Sequence, residues 1–204
     1  DAPDLAIQEL DKKLIIMLSN ENPISNNYRE SYQEYDFNII TPDSLPADKR
    51  YDSLYRFEGY KIYQLADANV SISEIDDQTK ARLVAQCDIK NGVKRLINYN
   101  LDEGIGALVP KLMVDGADQG IKHSFVIERD AFTNAELVNF KKYYFIAIAY
   151  AYNEYMPYSS DGSDPNGLFG QKEPYKASRK SPIGPILPVM AVPHKPTPER
   201  NGTI

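Results

Sequence analysis

Two histidines, His123 and His194, and one cysteine, Cys87, are the only residues of their types, and none stands where catalysis would need it. A histidine base acts on a nucleophile within hydrogen-bond reach, and neither histidine lies in a nucleophile motif. His123 falls inside an alternating stretch and His194 in a proline-rich exit, so both read as surface residues and no catalytic residue is expected. Cys87 sits in a strand-like run and reads as a small buried apolar group rather than a reactive thiol. Gly104-Ile105-Gly106 lacks a third glycine and opens no helix, so it makes no phosphate loop. Zinc-ligand spacing is absent. Asp76-Asp77 and Asp102-Glu103 have no mated nucleophile and read as solvated turn charges.

Two other groups of residues could bind rather than react. Asp161, Asp164 and Asn166 place three oxygen ligands at short spacing on a flexible turn, which is what calcium requires. The closing glutamate of a helix-loop-helix site is missing, and a plain solvated loop is the alternative. Fifteen tyrosines form the second group. Tyrosine supplies contact area at low entropic cost and stacks on sugars or protein surfaces. Tyr60, Tyr63, Tyr143, Tyr144, Tyr150 and Tyr152 are expected to fill strand faces. Tyr155, Tyr158 and Tyr175 sit among loop residues and are expected to face a ligand.

The elements that would hold these residues are mostly strands. Leu5 to Leu10 and Lys13 to Leu18 are short apolar runs divided by Asp11-Lys12, which suits an opening strand pair. Residues 20–50 carry Pro23, Pro42 and Pro46 and read as an irregular insertion, with strand-like alternation only at Tyr35 to Ile40. Leu54 to Leu65 alternates as a strand, and its interior Gly59 marks a bulge or close packing. A helical turn is expected at Ser73 to Gln78, capped by Ser71 or Ser73. Ala81 to Ile89 and Val93 to Tyr99 flank Asn91-Gly92, a strong hairpin signal. Val109 to Val114 and Ile121 to Ile127 are further strands, and Ala131 to Glu136 suits one helical turn. A long strand runs from Lys141 to Tyr152. Residues 155–180 then read as a second insertion, mainly exposed loop. Pro182, Pro185, Pro188 and Pro193 limit the next segment to an edge strand or a polyproline strap. The expected class is all-β, an antiparallel sandwich with little helix. One domain over residues 1–193 and an exit linker over 194–204 are expected.

Composition narrows the partners. The 204 residues are 42% hydrophobic and 25% charged, which is globular usage rather than disorder. A formal charge of -6 and scattered lysines leave no basic stripe for phosphates, so nucleic acid is excluded. No apolar run reaches transmembrane length, so direct membrane insertion is not expected. The chain starts at Asp1 rather than Met, which points to a processed or excised piece of something longer. One cysteine leaves the redox compartment open.

Leu137 and Tyr143, leading into Tyr144 to Asn153, resemble the corner and penultimate strand of a fibronectin type III sandwich. Ala2-Pro3-Asp4-Leu5 resembles that family's entry, Lys13 to Leu18 its second strand, and Phe57 to Tyr63 its third. The resemblance implies a tyrosine hydroxyl tied to the preceding connection, and a binding or spacer role rather than catalysis. The family's second-strand tryptophan is missing, with Ile16 or Met17 in its place, and Asn139 stands where the corner has proline. The chain is also about twice the usual length of about 100 residues.

More broadly, Tyr55 to Tyr63, Lys80 to Gln86, Asn91 to Val93 and Gly170 to Ser181 resemble segments of very large surface and secreted proteins of Bacteroidetes-type bacteria. That implies a cell-surface or extracellular location reached by type IX secretion. It also implies partners among neighbouring domains and other surface proteins, or glycans through an ancillary carbohydrate-binding role beside a hydrolase. Asp43-Ser44-Leu45 and Asp52-Ser53-Leu54 are similar to the O-glycosylation sequon of that group, which marks Ser44 and Ser53. Asn69 and Asn201 match the N-glycosylation pattern, which a suitable secretory host would have to read. No cofactor is implied beyond the candidate Ca2+.

Overall fold

A computed structural model describes residues 1–161 and 169–196. Strands occupy 42% of the chain and helix 5%, so the class is all-β with antiparallel sheets. β1 (Asp4–Leu10) and β2 (Lys13–Ser19) form a hairpin whose turn puts Lys12 in the left-handed region. β2 also pairs with β8 (Ser124–Ile127), giving a sheet of order β1-β2-β8. The second sheet centres on β4 (Leu54–Leu65) and β9 (Tyr143–Tyr152), paired antiparallel along nearly their whole lengths. β3 (Gln33–Tyr35) and β5 (Ala81–Asp88) share the outer edge of β4, and β10 (Tyr175–Ala177) and β11 (Val189–Ala191) share the outer edge of β9. β6 (Arg95–Asp102) and β7 (Ala107–Asp115) form a separate hairpin.

The two larger sheets meet face to face, and this arrangement fits an all-β sandwich. Leu14, Ile16 and Leu18 of β2 and Ile127 of β8 pack on Phe57, Tyr60 and Ile62 of β4 and on Tyr143, Phe145, Ala147 and Ala149 of β9. Ile16 is fully buried and Met17 is exposed, as alternation along β2 requires. Ile146, Ile148 and Tyr150 of β9 point to the opposite face, where Val70 and Ala81 cover the first two and the β6–β7 hairpin covers the third. β9 is therefore buried on both faces, which accounts for its unbroken apolar run. On β4 the register shifts between Phe57 and Gly59, and that bulge lets Phe57 and Tyr60 share one face. A Cβ at Gly59 would run into the Cys87 carbonyl oxygen and the Tyr150 ring, so this close approach requires glycine.

Three local expectations are corrected. Tyr35 to Ile40 is not a strand: β3 ends at Tyr35, and Asp36 turns the chain by accepting the Asn38 N–H at 3.0 Å, leaving Phe37 and Ile40 exposed. Asn91-Gly92 joins no hairpin, because β5 is taken by β4 and β6 by β7. Gly92 does adopt a positive φ, but its turn docks on Asp118, whose Oδ1 accepts the backbone N–H groups of Asn91 and Gly92. Ala131 to Glu136 holds the single turn expected, closed by the Asn134 N–H donating to the Asp130 carbonyl at 2.7 Å and not continued into a helix. Within the supposed loop of 155–180, Tyr175–Ala177 forms β10. The helical turn after Ser71 is a short 3-10 turn over Ile72–Glu74, with the Ser71 N–H donating to the Glu74 carboxylate at 3.0 Å.

Candidate functional site

The connection from β8 into β9 is fastened at Tyr143. Its hydroxyl accepts the Val138 backbone N–H at 2.9 Å, and both Leu137 and Tyr143 are buried in the inter-sheet cluster. Asp130 organises the upstream half. Its carboxylate takes the Gln64 side-chain amide at 2.9 Å, the Phe132 N–H at 3.0 Å and the Lys141 ammonium at 2.9 Å. Burial pushes this carboxyl upward, but Lys141 and the two amides outweigh it and hold Asp130 below the usual carboxylate range. Lys141 also lies over the Tyr143 ring at 4.9 Å, so one lysine joins both halves of the connection.

Two charged groups on β4 are buried. Glu58 accepts the Asn91 side-chain amide at 2.8 and 3.1 Å. Burial raises its carboxyl to about 7, with Asp88 and Asp118 adding and Asn91 opposing. Lys61 donates to the Met113 carbonyl and lies under the Tyr175 ring at 4.8 Å. Burial lowers its ammonium to about 8, with Asp76 opposing and Lys111 adding. Among the described residues Lys61 has no carboxylate at ion-pair distance, so the carbonyl and the aromatic cage hold it. Asn98 of β6 makes a comparable tie: its side chain donates to the Tyr175 carbonyl at 2.9 Å and accepts the Tyr175 N–H at 3.0 Å. Lys61 and Asn98 together fasten the β6–β7 hairpin to the sheet.

The residues singled out in the sequence are scattered. Cys87 is buried, and burial pushes its thiol upward, away from the nucleophilic thiolate. His123 is exposed and meets Glu30 at 2.6 Å, while His194 lies 3.3 Å from Glu9. Asp164 and Asn166 lie outside the described residues; Asp161 is exposed and accepts the Ser159 hydroxyl. Among the described residues no group of three or more histidine, cysteine or carboxylate side chains is placed to hold a metal ion. Ser44 is exposed and Ser53 half-buried, at opposite ends of the segment that enters β4.

Tyr155 and Tyr158 are half-buried at one end of the molecule, Tyr155 against Tyr51 with ring centroids 4.8 Å apart and Tyr158 against Tyr99 at 4.3 Å. Tyr175 is a correction. It is buried between Lys61, Tyr150 and Leu96, because β10 carries it under the hairpin, and it cannot face a ligand. Two clefts open beside Tyr155. One, of about 330 Å³, is lined by Asp52, Arg56, Glu58, Tyr152 and Glu154. The other, of about 550 Å³, is lined by Tyr55, Tyr99, Asn100, Lys172 and Glu173. Tyr155 lines both. Sequence reasoning missed Tyr51, Tyr55 and Tyr99, whose placement depends on contacts between distant segments. Glu58 and Lys61 were legible in principle, since charges inside an otherwise apolar and aromatic strand imply buried partners.

In comparisons with known proteins, no protein-family model, no curated protein and no solved structure matches the chain.

Proposed function

We propose that this chain is a fibronectin type III-like, non-catalytic module of a large secreted or surface protein of a Bacteroidetes-type bacterium. In this reading it leaves the cell by the type IX route and serves as a spacer, adhesive or assembly domain. The observation that carries the reading is the bond from the Val138 N–H to the Tyr143 hydroxyl. A tyrosine at the start of a central strand, tied back to the connection before it, resembles the corner of immunoglobulin-like sandwiches. Strand order supports it: β1-β2-β8 faces β5-β4-β9 with β10 and β11 as two packed antiparallel sheets, the layering of such folds, and β3 and the β6–β7 hairpin lie outside it. The buried polar groups Glu58, Lys61, Asn98 and Asp130 are each engaged in holding segments together, which suits a scaffold. Its partners in this reading are neighbouring domains of the same polypeptide and other surface proteins.

Antibody raised against the folded domain tests the location. Intact producing cells, or their culture medium, are expected to give the full signal without lysis. A signal that appears only after lysis contradicts the proposal.

A further inference from the structure

We infer that the two clefts flanking Tyr155 form one groove that binds a neutral oligosaccharide. The inference stands on the groove and holds whatever the parent protein is.

Three observations point to this ligand class. The first is shape: clefts of about 330 and 550 Å³ share Tyr155, so a linear ligand can run across that ring from one to the other. Each cleft is of the size that holds a small ligand. The second is pre-organisation. Tyr155 is propped by Tyr51 and Tyr99 by Tyr158, and the Tyr99 N–H is fixed to the Lys172 carbonyl at 2.8 Å. Below them Gln171 donates to the Tyr55 hydroxyl at 3.0 Å, and the Asn153 amide donates to the Asp52 and Leu54 carbonyls at 2.7 and 2.9 Å. Rings and floor are thus set before a ligand arrives, and little rotamer freedom is lost on binding.

The third observation is the polar lining. Asn100, Lys172 and Glu173 are all exposed on the larger cleft and offer amide, ammonium and carboxylate groups. Donors and acceptors interleaved with ring faces match a sugar, whose hydroxyls do both and whose C–H faces stack on aromatic rings. Charge selects among sugars. Asp36, Asp52, Glu154 and Glu173 outnumber Arg56 and Lys172 along the groove, and the chain as a whole carries -6. An anionic polysaccharide would be repelled, and a neutral one is not.

The test is an array of neutral oligosaccharides (xylo-, cello-, manno-, laminari- and chito-series) beside anionic ones (heparin and polygalacturonate fragments), followed by calorimetry on the best binder. The wild-type protein is expected to bind at least one neutral series. Tyr155→Ala and Tyr99→Ala are each expected to weaken that binding roughly tenfold, the loss of one good stacking contact. Asn100→Ala, an exposed change that leaves the rings in place, is expected to weaken it several-fold, which keeps the test valid if Tyr99→Ala loosens the hairpin. Tyr28→Ala, outside the groove, should change nothing, and thermal melts identify variants that remain folded. The proposal is overturned if folded wild-type protein binds no neutral oligosaccharide, if it prefers the anionic ones, or if folded Tyr155→Ala and Asn100→Ala bind as well as wild type.

Discussion

Glu58 and Lys61 flank the Gly59 bulge of β4 and titrate in opposite senses. The folded Glu58 carboxyl stands at about 7 against an ordinary 4.5, so between those values the folded state holds the extra proton and stability falls as pH rises. The folded Lys61 ammonium stands at about 8 against 10.5, so between those values the unfolded state holds the extra proton and stability rises with pH. Their combined contribution is therefore lowest between about pH 7 and 8. Glu58→Gln should raise unfolding stability at pH 8 by about 2 kcal/mol, allowing for relaxation around the site, and leave it nearly unchanged at pH 4. Urea denaturation at the two pH values checks this, and an equal gain at both would contradict the buried carboxylate. Tyr143 belongs to the same scale. Tyr143→Phe keeps the packing but strands the Val138 N–H, at a cost of about 1–2 kcal/mol. Leu137→Ala opens a cavity in the inter-sheet cluster at a cost of about 2–4 kcal/mol. Equilibrium unfolding of both variants measures these directly.

Among the elements, the β6–β7 hairpin depends on the rest of the molecule. Its own pairing runs along both strands with one irregularity at Leu96/Ile97, but its attachment rests on Asn98, Lys61, the Tyr99 N–H on the Lys172 carbonyl and the small cluster of Leu96, Val114, Tyr150 and Tyr175. Asn98→Ala should accelerate amide hydrogen exchange in β10 and across residues 95–115 while β4 and β9 stay protected. A uniform acceleration through both sheets would mean that the hairpin is not a separable unit. These elements were unevenly legible in the sequence. β9 could be read because a strand covered on both faces announces itself as a long apolar run, and β4 through the period-2 alternation of its apolar and aromatic residues. The hairpin partnership of β6 could not, because Asn91-Gly92 is a local turn signal and the choice between β5 and β7 is made by distant packing. The burial of Tyr175 failed for the same reason: only the docked hairpin turns a loop-like tyrosine into a core residue. The tie of Tyr143 to the connection before it rests on a short, local pattern, whereas the groove draws its rings from three distant segments.

At the scale of the whole molecule, Cys87 reports global opening. It is the single cysteine and is packed where β4, β5 and β8 meet, so thiol-labelling reagents should modify it at the rate of unfolding rather than at the rate of an exposed thiol. Labelling by Ellman's reagent in increasing urea checks this, and fast modification in buffer would place the thiol outside the core. The Tyr143 tie and the groove both depend on the arrangement of the two larger antiparallel sheets. Backbone amide and side-chain nuclear Overhauser effects test it most directly. Contacts are expected between Ile16 and Phe125, between Tyr60 and both Cys87 and Ala149, and between Val189 and Phe145, with none joining β5 to β6 across Asn91-Gly92. A ladder of cross-strand contacts between β5 and β6, with β2–β8 contacts missing, would contradict the account.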